Sequence, residues 1–397
     1  MNRNSMPVRQ WILTGWLVLC APLIRTSGQE WYSLEGYLSD MQTVYHLPDQ
    51  WLWENSLHNR LNLMLYPTDW LTGTIQVRSR MILGNTLRQF PGYAAGIDAD
   101  NGWLDLSFVT DGDLGSEAGY LLTTAIDRLW FQLTFGNLEV TVGRQRINWG
   151  QTFVWNPNDI FNTYSYFEVD YPERPGSDAI RLQYYTGIAS TLELAAKVDS
   201  ADRVTAAAYF RFNTHGFDIQ MMGGVYRQED LVLGTGWSGN LGSAALRGEF
   251  SYFRDLDQFR DTTGHFLFSV GADYTFSNSL WLQIEALYSS FARELDVYSF
   301  LQFYGGDLDV KSLGFTPWSV FSSLSYPFTP LINGGFAAIW YPEWKGFYLG
   351  PSVDFSLVNN LDLSLIFQYF TAELENPSGG SHRENNTFGF LRLKWSF

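Results

Sequence analysis

Between Val142 and Asp178 the chain concentrates the side chains best equipped for chemistry. It reads Val142-Gly143-Arg144-Gln145-Arg146-Ile147-Asn148-Trp149-Gly150-Gln151, then Trp155-Asn156-Pro157-Asn158-Asp159, and then Asp170-Tyr171-Pro172-Glu173-Arg174-Pro175-Gly176-Ser177-Asp178. Three guanidiniums, Arg144, Arg146 and Arg174, stand near four carboxylates, Asp159, Asp170, Glu173 and Asp178. That is the chemistry of charge-assisted hydrogen bonds, which pins a segment to a wall, holds a polar solute, or does both. The same stretch carries Trp149, Trp155, Phe161, Tyr164, Tyr166 and Phe167, more aromatic surface than a solvated flap needs. Residues 148–177 are therefore expected to fold inward as a constriction.

Other chemistries find no support in the residue pattern. The five histidines (His46, His58, His215, His265, His382) are scattered, and none stands beside a serine in a nucleophile motif, so a surface hydrolase is not indicated. No ligand spacing suggests a metal, and no cofactor is expected. Asp111-Gly112-Asp113 reads as a solvated acidic loop before it reads as a weak calcium site.

A second group of charged residues depends on geometry. Arg60, Arg78, Arg80, Arg128, Arg181, Lys197 and Arg211 occupy the polar face of alternating segments, and Asp273, Glu285, Asp354 and Asp362 do the same later in the chain. If both sets point into one lumen, opposed basic and acidic walls set a transverse field that suits polar, zwitterionic or anionic solutes.

The elements that would position these residues are strands. Thr74 to Met81, Arg128 to Phe135 and Thr191 to Val198 each alternate apolar and polar residues with period two. Most such segments run ten residues or more, as tilted membrane strands must, whereas strands of soluble proteins average about five or six. Aromatics collect near their ends on the apolar face, among them Trp237, Tyr252, Phe276, Tyr288, Trp318, Trp340 and Trp395, like the girdles of a transmembrane barrel. Short turns at 67–69, 136–137, 213–216, 277–279 and 358–360 alternate with long connections at 84–123, 148–177, 293–315 and 374–385. This spacing predicts an all-β, antiparallel transmembrane barrel of about 18 strands, with 16 as the alternative, short periplasmic turns and long extracellular loops. Trp103 to Val109 resembles a strand but would break the even count, so it is assigned to the first long loop as a helix or flap.

The two ends address the protein. Arg3 and Arg9, the apolar run Trp11 to Ile24 and the small residues Thr26-Ser27-Gly28 form a signal-peptide layout, too short for a spanning anchor, with 29–397 as the barrel. Cys20, the one cysteine, falls inside that leader, and removing residues 1–28 takes away three basic and no acidic residues, moving the net charge from −16 to −19. Such a charge argues against nucleic acid as a partner. At the other end Leu391, Leu393, Trp395 and Phe397 share one face of a last strand that stops on the aromatic. This resembles the signal that outer-membrane insertion machinery reads on its barrel clients.

The order Gly-Arg-Gln, Trp-Gly, Asn-Pro-x-Asp in residues 143–159, within the wider stretch 124–186, resembles the strand-to-loop segment of porin-like outer-membrane barrels of the alginate-export type. The resemblance implies a monomeric or weakly associated channel of 16 to 18 strands. Together these readings predict a bacterial outer-membrane barrel among lipids that passes small polar or anionic solutes, saccharides among them. A structural barrel that anchors or exports a surface polymer is the alternative.

Overall fold

A computed structural model describes residues 31–397 except 48–49, 90–101, 116, 165, 167–168, 170–172, 175, 262, 295–308 and 377–378. The expected leader, with Cys20, lies outside the described residues, as do Phe167 and Asp170.

Period-two alternation gives long strands joined in sequence: β1 (Tyr32–Leu47), β2 (Gln50–Thr68), β3 (Leu71–Gly84), β4 (Ser107–Leu114), β5 (Ala118–Phe135) and β6 (Leu138–Gln145). They are followed by β7 (Ser177–Gly187), β8 (Ser190–Val198), β9 (Val204–Thr214), β10 (Phe217–Tyr226), β11 (Asp230–Leu241), β12 (Ala244–Asp255) and β13 (His265–Thr275). The last six are β14 (Trp281–Ser289), β15 (Trp318–Thr329), β16 (Ile332–Tyr341), β17 (Gly346–Val358), β18 (Leu361–Glu375) and β19 (Ser381–Ser396). Every pairing is antiparallel, and β1 pairs with both β2 and β19, which closes an 18-stranded barrel. Closure removes sheet edges and lets each backbone polar group find a partner within the wall, the condition for spanning a bilayer with strands. No helix among the described residues is long and apolar enough to span one.

β1 and β2 pair from Tyr32↔Leu65 to Leu47↔Gln50. One element differs from the sequence expectation. The segment near Trp103 to Val109, expected as a helix or flap, supplies β4. It pairs with β5 at Ser107↔Ala125 through Leu114↔Ala118, on the edge that β6 uses lower down at Leu129↔Arg144 through Phe135↔Leu138. β4 thus replaces β6 in the wall above the point where β6 ends, and the even count survives because it takes a vacated place. A bridge from Gly102 to Asp199 ties its approach to the end of β8.

The two faces of the wall are chemically distinct. Phe131, Ile180, Leu194, Met221, Leu233, Ile284, Trp318, Trp340, Leu391 and Trp395 are exposed on the outside, the lipid-facing surface. Inside, the outer half of β10 to β19 is apolar: Tyr226, Phe253, Leu287, Phe321, Tyr341, Phe370 and Phe388 are buried there with Val310 and Leu313 from the segment before β15. That segment is held by ion pairs Arg227–Asp309 at 2.5 Å and Lys311–Asp230 at 2.8 Å.

Candidate functional site in the barrel lumen

After Gln145 the chain leaves the wall, and the described residues of 146–176 belong to no strand, so each of their buried N–H groups must find an acceptor outside a sheet ladder. Side chains of the inner wall provide them. Glu249 on β12 accepts hydrogen bonds from the backbone N–H of Gln151, of Thr152 at 2.8 Å and of Asn158 at 2.9 Å, and from the Thr152 hydroxyl at 3.0 Å. Glu285 on β14 accepts from the N–H groups of Phe153 (3.0 Å), Val154 (3.2 Å) and Trp155 (2.8 Å), and from the Ser269 hydroxyl. Both glutamates are 0% exposed. A carboxylate that gathers three backbone donors forms charge-assisted bonds, each worth about 1.5–3 kcal/mol.

Trp149, expected in the constriction, is buried: it stacks on Tyr209 with ring centroids 5.0 Å apart, meets Phe161 edge-on, and donates from Nε1 to Glu193 at 3.0 Å. Gln220 donates to its carbonyl oxygen. Trp155 packs edge-on against Phe321. Asn156 donates to the Tyr164 hydroxyl, which in turn donates to the Phe153 carbonyl. Asn158 donates to the Thr235 carbonyl and accepts from the Ser251 hydroxyl, which also reaches the Pro157 carbonyl. A Cβ on Gly234 would stand 2.4 Å from Asn158 Oδ1, so the wall needs glycine at that point. The motif Trp155-Asn156-Pro157-Asn158-Asp159 is a turn whose polar atoms are largely consumed by the wall.

The segment then passes to other strands. Tyr166 packs on Phe321 and Tyr348, Arg392 on β19 donates to the Val169 carbonyl, and Tyr37 on β1 donates to Glu173 at 3.1 Å. Arg128 on β5 donates to the carbonyls of Glu173 and Arg174, and Arg174 lies over the Tyr164 ring.

Arg144 and Asp178, expected to tie this segment down, do form an ion pair at 2.8 Å, but at the seam where β6 ends. Arg144 also donates to the carbonyls of Ile126 and Leu104, and the Leu104 N–H donates to Asp178. A Cβ on Gly102 would collide with both side chains, so the close packing of β4's approach depends on that glycine. The pair joins wall to wall. Asp159 is 1% exposed and makes no ion pair among the described residues. Burial raises its pKa to about 7, against the opposing pull of the Arg146 charge.

The basic side chains divide. Arg60 is buried and donates to Asp127, to Asn62 and, at 2.7 Å, to Gln76. Arg78 donates to both Asp127 oxygens at 3.1 and 3.2 Å. Arg80 is half-buried on the same face of β3. Arg181 pairs with Glu193 at 2.7 Å, and Lys197 donates to the Phe161 carbonyl. Arg211 is exposed near the periplasmic end of β9. Among the acidic residues, Asp273 pairs with Arg247, and Asp354 and Asp362 accept from Ser364 and Ser356.

Asp127 was not anticipated. Alternation places Arg128 inside and its neighbour outside, yet the register jumps from Gln76↔Arg128 to Val77↔Ile126, leaving Asp127 as the extra residue of a bulge. A bulge lets two successive side chains reach the same face, and both Asp127 and Arg128 are 6% exposed. The sequence signal is an acid-base pair interrupting an alternating strand.

No protein-family model matches the chain, and no curated protein matches it. Solved structures do. OccK11 (OpdR) of Pseudomonas aeruginosa aligns with a TM-score of 0.56 at 9% identity, covering 92% of this chain and 96% of that one. OccAB2 of Acinetobacter baumannii gives 0.56 at 10% identity, covering 92% and 98%. OccK8 (OprE) of P. aeruginosa gives 0.54 at 11% identity, with the same two coverages. The likeness is one of fold, to 18-stranded outer-membrane porins.

Proposed function

We propose that this barrel is an outer-membrane channel for the passive diffusion of small polar or anionic solutes, saccharides among them, narrowed from within by residues 148–177. One observation carries the reading: inward positions of β2, β3 and β5 hold four guanidiniums (Arg60, Arg78, Arg80, Arg128) against two carboxylates (Glu54, Asp127), facing a lumen crossed by a segment held on the opposite wall. Excess positive charge in a confined, low-dielectric passage concentrates anions. Arg181, Lys197 and Arg211 add to the basic lining, Arg211 toward the periplasm, whereas Arg146, Trp149, Trp155, Asn156, Asp159, Glu173 and Arg174 shape the constriction. No reaction is assigned to the site.

Export with removal of residues 1–28 and recognition of Leu391, Leu393, Trp395 and Phe397 by the insertion machinery belong to the same reading. So does the kinship of the 143–178 motif with alginate-export-type barrels, which rests on the motif itself.

The test is reversal potentials in planar bilayers under a salt gradient. The wild-type chain is expected to favour anions, and Arg78→Ala with Arg80→Ala to lower the anion-to-cation permeability ratio severalfold; an unchanged ratio would sink the proposal. Liposome swelling with sugars of graded size separates the channel from a polymer-anchoring barrel, which would pass none of them.

A further inference from the structure

Most rings of the inward segment are covered: Trp149, Trp155 and Phe161 are all buried. Phe153, on the same stretch, is not. Its backbone is held on both sides, the N–H donating to Glu285 at 3.0 Å and the carbonyl accepting from the Tyr164 hydroxyl at 2.8 Å, yet the residue stays 38% exposed. A ring positioned by its own backbone and left open to the lumen is apolar surface that the fold itself does not consume, the kind that lines ligand sites.

The groups around that ring are specific. The Arg247 guanidinium lies 3.8 Å from its centroid, and the half-buried Trp281 meets it edge-on with centroids 6.1 Å apart. Arg247 pairs with Asp273 at 2.7 Å, Trp281 Nε1 donates to the same carboxylate at 3.4 Å, and both members of the ion pair remain partly exposed. The four side chains thus form one cluster. It lies on the periplasmic side of Glu249 and Glu285, because Arg247 precedes Glu249 on β12 and Trp281 opens β14. The wall beside it is built of small residues: Ser238 stands opposite Arg247, Gly271 lies between Arg247 and Glu285, and Ser325 stands opposite Trp281.

The charge balance of the cluster selects among solutes. One guanidinium meets one carboxylate, and the next inward charges, Glu249 and Glu285, are acidic and already engaged by backbone N–H groups. A net anion finds no excess positive charge here to hold it. A sugar ring does fit. Its C–H face packs on an aromatic π-face, whose negative quadrupole attracts hydrogens, while its hydroxyls accept from a guanidinium and donate to a carboxylate. Such charge-assisted bonds need no net charge on the ligand.

We propose that Phe153 and Trp281, with the Arg247–Asp273 pair, form a subsite for the ring of a neutral saccharide on the periplasmic side of the constriction. The inference rests on the channel reading and narrows the solute class at this station of the lumen.

The test titrates the full, folded chain, in a detergent without a sugar headgroup, with lactose, maltotriose, cellotriose and raffinose by calorimetry, and reads block of the single-channel current by the same sugars. Saturable binding of at least one is expected. Phe153→Leu and Trp281→Leu should each raise its dissociation constant at least fivefold, with Trp281→Phe restoring it to within twofold. Tyr185→Leu, which removes another exposed inward aromatic on β7, should leave it unchanged, and heat-modifiable mobility reports that each variant folds. A galacturonate trimer, the anionic counterpart, should respond to none of these substitutions. The proposal is overturned if no neutral sugar binds, if the leucine variants bind as the wild type does, if Tyr185→Leu loses as much, or if the galacturonate trimer loses affinity in parallel. Sugar binding by a barrel that passes no current would sink the channel reading and leave the subsite standing; current without sugar binding does the reverse.

Discussion

The two sides of the lumen use buried charge in opposite ways. On β12 and β14, Glu249 and Glu285 are fully covered and their oxygens are taken by backbone N–H groups of residues 151–158. Their charge is spent on holding chain in place. On β2, β3 and β5 the arginines outnumber the carboxylates, and Arg78 retains 15% side-chain exposure beside Asp127. On the proposed reading, that charge acts on whatever enters the lumen. The same kind of residue, an inward ionised side chain on an alternating strand, is thus structural or functional according to what its partners leave over.

The comparison breaks most visibly on the acidic side. Glu249→Ala with Glu285→Ala withdraws the acceptors of six loop N–H groups, at about 1.5–3 kcal/mol for each charge-assisted bond. Single-channel conductance should rise at least twofold, with a larger sugar cut-off in swelling assays; an unaltered conductance would show that the segment does not limit the pore. On the basic side, Asp127→Asn removes the anion that Arg60 is buried against, and breaking such a pair costs about 3–5 kcal/mol. The unfolding temperature read from heat-modifiable mobility should fall, and the anion preference of the surviving channels should increase. A fall in anion preference would reverse the role given to Asp127.

A smaller effect is expected from Asp159. Its pKa rises from 3.8 to about 7 because burial disfavours the charged form. The folded state therefore binds the proton more tightly than the unfolded one. Its contribution to anchoring is fully present below pH about 4 and is lost as pH passes about 7. Current interruptions from a loosened loop should be more frequent at pH 8 than at pH 5, and Asp159→Asn should remove the difference; persistence of the pH effect in that variant assigns it to another group. Least of all, Ser251→Ala deletes the bonds to Pro157 and Asn158, about 1 kcal/mol, and should change loop noise without changing ion selectivity.

Much of the fold was legible in the residues. Alternation and the spacing of short turns placed nearly every wall strand, and strand parity put the inward residues Arg60, Arg78, Arg128 and Glu285 on one face. β4 was not legible, because its place beside β5 exists only once β6 has left the wall. Asp127 was hidden by a bulge, since pure alternation sends it outside. The motif from Gly143 to Asp178 stood out, but the job of each residue did not: Arg144 and Asp178 seal a seam, while the glutamates that hold the segment lie about a hundred residues or more along the chain from it.

What the sequence determines by itself is therefore periodic: strand against turn, inner face against outer, membrane against water, because each follows from the chemistry of one residue and its near neighbours. What tertiary structure decides is which inward charge meets which partner. Closure of the barrel brings Glu249 and Glu285 against a segment far away in the chain and sets Arg60 and Arg78 around the one carboxylate of Asp127. That outcome depends on register and on the backbone's unmet hydrogen bonds, and neither can be read along a single strand.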